Sequence, residues 1–444
     1  MQFFLDNLIK ELIPTRNYRT LVIALSGGLD SMVLLHALCE LVKDKRVVAK
    51  IRAVHVNHRL HKDADNWEIF CVERCAALNV PIIVERLQQG LLKEGESNLE
   101  HKARKERYKV FESAIGQDCC MILAHHLDDQ LETLFFRLNR GAGIRGLTAV
   151  PQNRELGSTK IFRPLLGISR KSLQQYAESQ NLQWVEDSSN ANISYDRNFL
   201  RHEVLPKIEK RWPNYRKSWS KSLKIISDAH SILEEIAATD LSLLSLKSQN
   251  KLNLDLLLRL PRERQRNVIK YWVGKVAKKE IGWSKLQYIV NDALPFVRES
   301  NVETEIDDYL IRSFKDKLYL LRKFGRLPEE CDWDLKASKK LSLLNNGVLL
   351  AEETVGLGFS KKLVDKVQIR FRQGGEAFSM SGRPRKSLKK IFQEARIEPW
   401  LRPRIPLIYC KDELICVVGI GISEKALANK AETGFILTWC FPQD

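Results

Sequence analysis

Between residues 20 and 140, four short apolar, β-branched runs alternate with amphipathic stretches of helical period. They are TLVIAL (20–25) then 30–43, VVAKIRAVHV (47–56) then 65–78, PIIVERL (81–87) then 98–115, and CCMILAH (119–125) then 127–140. Strands that recur at this distance are too far apart for hairpins, so a crossover helix returns the chain and neighbours run parallel. The pattern predicts an α/β fold with a doubly wound parallel sheet. In such sheets ligands gather beyond the C-terminal ends of the strands, which directs attention to residues 26–31, 55–60 and 125–129.

The chain of 444 residues is long enough for several domains at about 150 residues each. We place the α/β domain at 1–215 and a helical middle domain at 216–325, from the Leu/Ile periodicity of LNLDLLLRL (252–260) and PRERQRNVIKYWV (261–273). A Leu- and charge-rich connector follows at 326–360, and a small α+β domain at 361–444. The formal charge of +17 is uneven: residues 1–210 hold 30 basic and 26 acidic side chains, whereas 361–410 alone hold 13 and 4. A basic C-terminal module points to a polyanionic partner.

Nine cysteines, with no C-x-x-C pair, fit reduced thiols better than a disulfide framework or a zinc ribbon. Asp6 interrupts the N-terminal apolar run before it can form a signal peptide, and no window reaches the length of a membrane span. The expectation is a cytoplasmic protein without a membrane partner.

The sharpest local signal is S-G-G-L-D-S (26–31), between an apolar strand and an amphipathic helix. Gly27 and Gly28 let backbone amides approach phosphate oxygens, Ser26 and Ser31 add hydroxyl donors on either side of Leu29 and Asp30, and the N-terminus of the following helix favours an anion. Asp30 is then placed to hold Mg²⁺ against that phosphate. No Lys-Ser/Thr follows the glycines, so this is not a Walker A loop, and the anion is better read as a pyrophosphate.

AVHVNHRLH (53–61) ends a strand with His55, His58 and His61. Alternate side chains of an extended segment face opposite ways, which disfavours zinc and favours residues lining a nucleotide pocket. AHHLDDQLET (124–133) passes from strand to helix and brings Asp129 level with Glu132 and Thr133, carboxylates suited to a metal or a cationic substrate. EHKARKERY (100–108) sets Arg104 and Arg107 three apart on a helix, where both can face an anion. GAGIRG (141–146) matches a dinucleotide fingerprint in letters only, because it follows a helix rather than a strand.

The S-G-G-L-D-S loop resembles that of the PP-loop ATP pyrophosphatases. The succession of SGGLDS, HVNHRLH, ARKERY, AHHLDDQLET, RGAGIRGL (140–147), RPLL (163–166), EDSSN, RNFLRHEVLP (197–206), RFRQGGEAF (370–378) and SLKKIFQEARIEPWLRPRIPL (387–407) resembles the tRNA(Ile)-lysidine synthetase family. His61 departs from it, standing where the family typically has Arg.

The resemblance implies an ATP- and Mg²⁺-dependent C–N ligase. It would adenylate the wobble cytidine of a CAU-anticodon isoleucine tRNA and join free L-lysine to C2, changing codon reading from AUG to AUA. It further implies that His55 and His126 line the nucleotide, that Asp30 binds the metal, and that Asp129 and Glu132 hold lysine or give a second metal contact. Arg104 and Arg107 would steady phosphate charge or the flipped base, while Arg383, Arg385, Lys386, Lys389 and Lys390 would contact tRNA phosphates. A homo-oligomer is compatible with all of this. The alternatives are a tRNA thiolase of the same superfamily and a non-catalytic RNA-binding protein on the same fold.

Overall fold

A computed structural model describes residues 2–88, 99–116, 118–157, 159–187, 191–246, 248–297, 302–362 and 366–441. The side chains of 99–101 are outside that description, as are Ser188, Ser189 and Asn190 of the E-D-S-S-N motif. The chain forms two compact units, 1–232 and 233–444.

In the first unit, α1 (Gln2–Leu12) precedes β1 (Thr20–Ala24), α2 (Leu29–Lys43), β2 (Lys50–Asn57), α3 (Ala64–Ala77), β3 (Ile82–Arg86), α4 (Leu99–Ala114), β4 (Cys119–Ile122) and α5 (Leu127–Asn139). A hairpin of β5 (Asn153–Leu156) and β6 (Thr159–Phe162) completes a six-stranded sheet in the order β3-β2-β1-β4-β6-β5. All pairs are parallel except β5 with β6. The order reverses on either side of β1, so a crevice opens beyond its C-terminal end between β1 and β4.

Both faces of the sheet are covered, which is why its strands read as continuous apolar runs. Leu21 and Ile23 of β1 pack with Leu5 and Leu8 of α1 and Val33 and Leu34 of α2. Val22, between them, packs on the opposite face with Met121, Phe111 and Ile115.

The second unit departs from the periodicity reading. Its helices Leu254–Arg259 and Arg262–Ala277 lie where expected, but a four-stranded antiparallel sheet accompanies them, formed by Lys251–Asn253, Glu303–Ile306, Tyr309–Phe314 and Lys317–Arg322. The last three strands are joined by two-residue turns in which Asp307 and Lys315 take positive φ, and Asp307-Asp308 is a turn pair that a helical reading overlooks.

The segment 326–360, read from the sequence as a Leu- and charge-rich connector, is largely strand. It contains strands Cys331–Asp334, Lys340–Leu343, Gly347–Val355 and Phe359–Ser360, and Gly347–Val355 pairs along its length with Thr433–Cys440. A partner some eighty residues away leaves no trace in local spacing.

Candidate active site

The S-G-G-L-D-S loop turns the chain from β1 into α2. Ser31 Oγ donates to the Gly28 carbonyl at 2.9 Å and lies 3.1 Å from Ser26 Oγ, which in turn accepts from the Gly28 N–H at 3.4 Å. Both hydroxyls therefore brace the loop from within. No side chain caps α2 at Gly28, and the Ser31 N–H turns back to the Gly28 carbonyl at 3.1 Å, which leaves the Leu29 and Asp30 amides for an anion. Gly27 has φ +82°, and a Cβ there would lie 2.9 Å from Val185 Cγ2 and 3.1 Å from Cys71 Sγ. Val185 also donates its N–H to the Gly27 carbonyl at 3.0 Å.

His55 is buried on β2, with Nδ1 2.9 Å from the Leu25 carbonyl. A carbonyl only accepts, so Nδ1 carries the proton. Burial pushes the ring below its ordinary range against that bond, and it is held neutral. Burial, with the charge of Arg107, likewise pushes His58 down to about 4. His61 stacks on Trp67 with centroids 4.8 Å apart, at the entry to α3. Among the described residues no group of three or more His, Cys, Asp or Glu side chains that could hold a metal ion is assembled.

His126 caps α5 from the far side of β1. Its Nε2 lies 3.5 Å from Asp30 and 3.6 Å from Asp129, and its main-chain N–H donates to Asp129 Oδ2 at 3.0 Å. Burial alone would lower this imidazole, but the hydrogen bond to Asp30 and the charges of Asp129, Asp30 and Asp128 outweigh it and raise it. His126 thus links the S-G-G-L-D-S loop to the acidic helix. Asp30 keeps one oxygen, Oδ1, buried and without a hydrogen-bond partner. One carboxylate beside a phosphate-binding loop is the donor set Mg²⁺ takes when nucleotide oxygens and water supply the rest, so Asp30 fits the ion.

The carboxylates of α5 are heavily engaged. Asp128 accepts from the Arg170 N–H at 2.8 Å and from Arg216 Nε at 2.7 Å. Arg197 donates to Asp129 at 2.5 Å and to Glu132 at 2.6 Å, and Arg201 donates to Glu132 at 2.8 Å. Burial opposes ionisation of both aspartates, yet their hydrogen bonds and neighbouring cations hold them below the usual carboxylate range. These partners lie 42 to 88 residues from α5. Spacing could not reveal them, although R-N-F-L-R-H-E-V-L-P carried Arg197 and Arg201.

A second cationic group faces this one. Arg104 donates to the Tyr108 hydroxyl at 3.2 Å, and the Arg104 and Arg154 guanidinium carbons each lie 5.3 Å from the Tyr108 ring centre. Burial alone would raise the Tyr108 phenol, but Arg104, Arg163 and Arg107 overcome it and lower it. Arg163, opening R-P-L-L just past the end of β6, joins the group and is not among the sequence candidates.

In the second unit Arg383, Arg385, Lys389 and Lys390 are exposed around the helix Leu388–Glu394. Lys386 is half-buried and donates to Glu394 at 2.8 and 3.0 Å, so its charge is largely answered within the protein.

A phosphate-binding loop at the point of strand reversal, faced by a histidine-capped acidic helix and an arginine group, defines a PP-loop nucleotide-using enzyme. The PP-loop domain family matches residues 2–208, the TilS substrate binding domain 252–319 and the TilS substrate C-terminal domain 367–439. The tRNA(Ile)-lysidine synthase of Coxiella burnetii is 38% identical over 97% of this chain and 95% of its own length. That of Pseudomonas aeruginosa is 35% identical over 98% and 97%, and that of Nitrosomonas europaea 36% identical over 94% and 91%. The chain belongs to the tRNA(Ile)-lysidine synthase family.

Proposed function

We propose that this protein ligates free L-lysine to C2 of the wobble cytidine of isoleucine tRNA with a CAU anticodon, in two steps at one site. ATP lies along the crevice, with its β- and γ-phosphates at residues 26–31 and Mg²⁺ held through Asp30, where it would neutralise phosphate charge. The C2 carbonyl oxygen attacks the α-phosphorus, and the bond to the bridging oxygen breaks to release pyrophosphate. The neutral ε-amine of lysine then adds to C2, the C2–O bond breaks, AMP leaves, and the nitrogen loses a proton.

The chain's own residues divide this work. His55 and His126 flank the nucleotide on either side of β1. Arg104 and Arg107 receive the phosphate charge or steady the cytidine. Asp129 and Glu132 attract the lysine ammonium, which competes with Arg197 and Arg201 for them. Arg383, Arg385, Lys389 and Lys390 contact tRNA phosphates and fix register rather than identity. No helix among the described residues is long and apolar enough to cross a membrane; it is the tRNA substrate of this reading that implies a cytoplasmic enzyme.

The observation that carries the reading is the Asp30–His126–Asp129 bridge, which ties the pyrophosphate loop to a helix whose carboxylates suit a substrate that carries an ammonium group. The thiolase alternative loses ground because burial pushes the thiols of Cys71, Cys75 and Cys120 up to about 12, far from the thiolate that sulfur transfer requires. The test is AMP release from ATP with Mg²⁺ and the tRNA transcript, comparing wild type with Asp30→Ala. The variant should fold normally and form no AMP; normal AMP formation would remove Asp30 from the mechanism.

A further inference from the structure

Arg163 is a cation with almost no access to solvent: 1% of its surface is exposed. No carboxylate pairs with it among the described residues. Its donors meet three neutral acceptors instead: the Pro151 carbonyl at 2.7 Å, His125 Nδ1 at 3.3 Å and the Tyr108 hydroxyl at 3.4 Å.

The second of these bonds dictates a protonation state. A guanidinium nitrogen only donates, so His125 Nδ1 must accept, and the ring proton sits on Nε2. A protonated imidazole would set one N–H against another beside a buried cation. No described residue provides a hydrogen-bond partner for Nε2. Charged groups reach this ring from every element around it: Asp129 on α5, Arg163 after β6, Arg104 on α4 and Arg197 of the helix Asp196–Phe199. Burial, aided by the three arginines and opposed by Asp129, pushes His125 down to about 3.

His55 shows the opposite arrangement, with its proton on Nδ1 and Nε2 left to accept. The two strands that flank β1 therefore end in neutral histidines of opposite tautomer, one offering an acceptor and the other a donor.

We propose that Arg163 is a positioning residue for adenylation: it locks His125 as a neutral Nε2–H donor to the α-phosphate oxygen on which charge grows as the cytidine oxygen attacks. The proposal rests on the lysidine-forming reading for its substrate, but not for its tautomer. A preset donor of this kind acts without reorganising during the reaction.

Two experiments test it. In wild-type protein labelled with ¹⁵N-histidine, the His125 resonances, assigned by loss in His125→Gln, should show Nδ1 unprotonated and Nε2 protonated, unchanged between about pH 6 and 8. Arg163→Met should lower kcat for AMP formation about a hundredfold with the KM for ATP unchanged. Its kcat profile should gain a protonation near the ordinary histidine pKa of about 6.5. His125→Gln, which keeps an N–H donor at the Nε2 position, should retain more activity than His125→Ala.

A proton on Nδ1, or wild-type titration of His125 in the neutral range, would overturn the proposal even if Arg163→Met failed to fold. So would a folded Arg163→Met with wild-type kcat and pH profile. Absence of tRNA-dependent AMP in the wild type would instead overturn the function reading and with it the adenylation role, while the nitrogen shifts decide the tautomer on their own.

Discussion

Val185 holds Gly27 twice: its N–H donates to the Gly27 carbonyl at 3.0 Å, and its Cγ2 stands 2.9 Å from where a Gly27 Cβ would be. The phosphate loop is thus clamped by the residue just before Glu186 and Asp187, more than 150 positions away in the chain.

Gly27→Ala should therefore lose on two counts. A side chain at φ +82° costs about 1–2 kcal/mol, and the new methyl displaces Val185. The expected outcome is a lower Tm and a loss of ATP binding by calorimetry. Val185→Ala relieves the clash, so the double variant should recover part of the Tm but not the binding.

Arg197 bridges Asp129 and Glu132, and Glu132 is 1% exposed. Removing the cation leaves a buried carboxylate with Arg201 alone. A double-mutant cycle of Arg197→Ala with Glu132→Gln, read by urea unfolding, should give a coupling of about 0.5–3 kcal/mol. Strict additivity would mean that the pair is not formed in solution.

Asp128 and Asp129 are held below the usual carboxylate range by their hydrogen bonds and cationic neighbours. A depressed folded pKa means that the unfolded chain binds the proton more readily, so their stabilisation is present above the unfolded value of about 3.9 and fades as pH falls below it. Urea midpoints should drop on acidification below about pH 4. Asp128→Asn should be less stable than wild type at neutral pH and should show a shallower acid limb.

The basic residues of the last domain should separate by exposure. Charge reversal of Arg383, Arg385 and Lys389 should weaken tRNA binding and reduce the salt slope by about 0.7–0.9 for each phosphate no longer neutralised. Lys386→Ala should change that slope less, because Lys386 is paired with Glu394.

What the sequence disclosed follows from the range of the interactions. The parallel sheet was legible because each strand buries both faces and each crossover helix has its own period, and S-G-G-L-D-S was legible because its chemistry lies within six residues. Asp30, His126 and Asp129 are brought together as two adjacent strand ends demand. The arginines that neutralise Asp128, Asp129 and Glu132 were not legible, because a carboxylate at the start of a helix is equally at home facing water. Arg163 was hidden similarly, as one letter of a motif whose burial only the sheet creates. The strands at 303–322 and 331–360 escaped because their partners are set by turns and by chain ends far off in sequence.

Lysidine formation is read most simply by mass analysis of the wobble nucleoside after incubating the protein with ATP, Mg²⁺, free lysine and a CAU-anticodon isoleucine tRNA transcript. The wobble cytidine should become heavier by one lysine less one water, and only when lysine and ATP are both present. AMP release that is indifferent to lysine, with cytidine unchanged in mass, would contradict it.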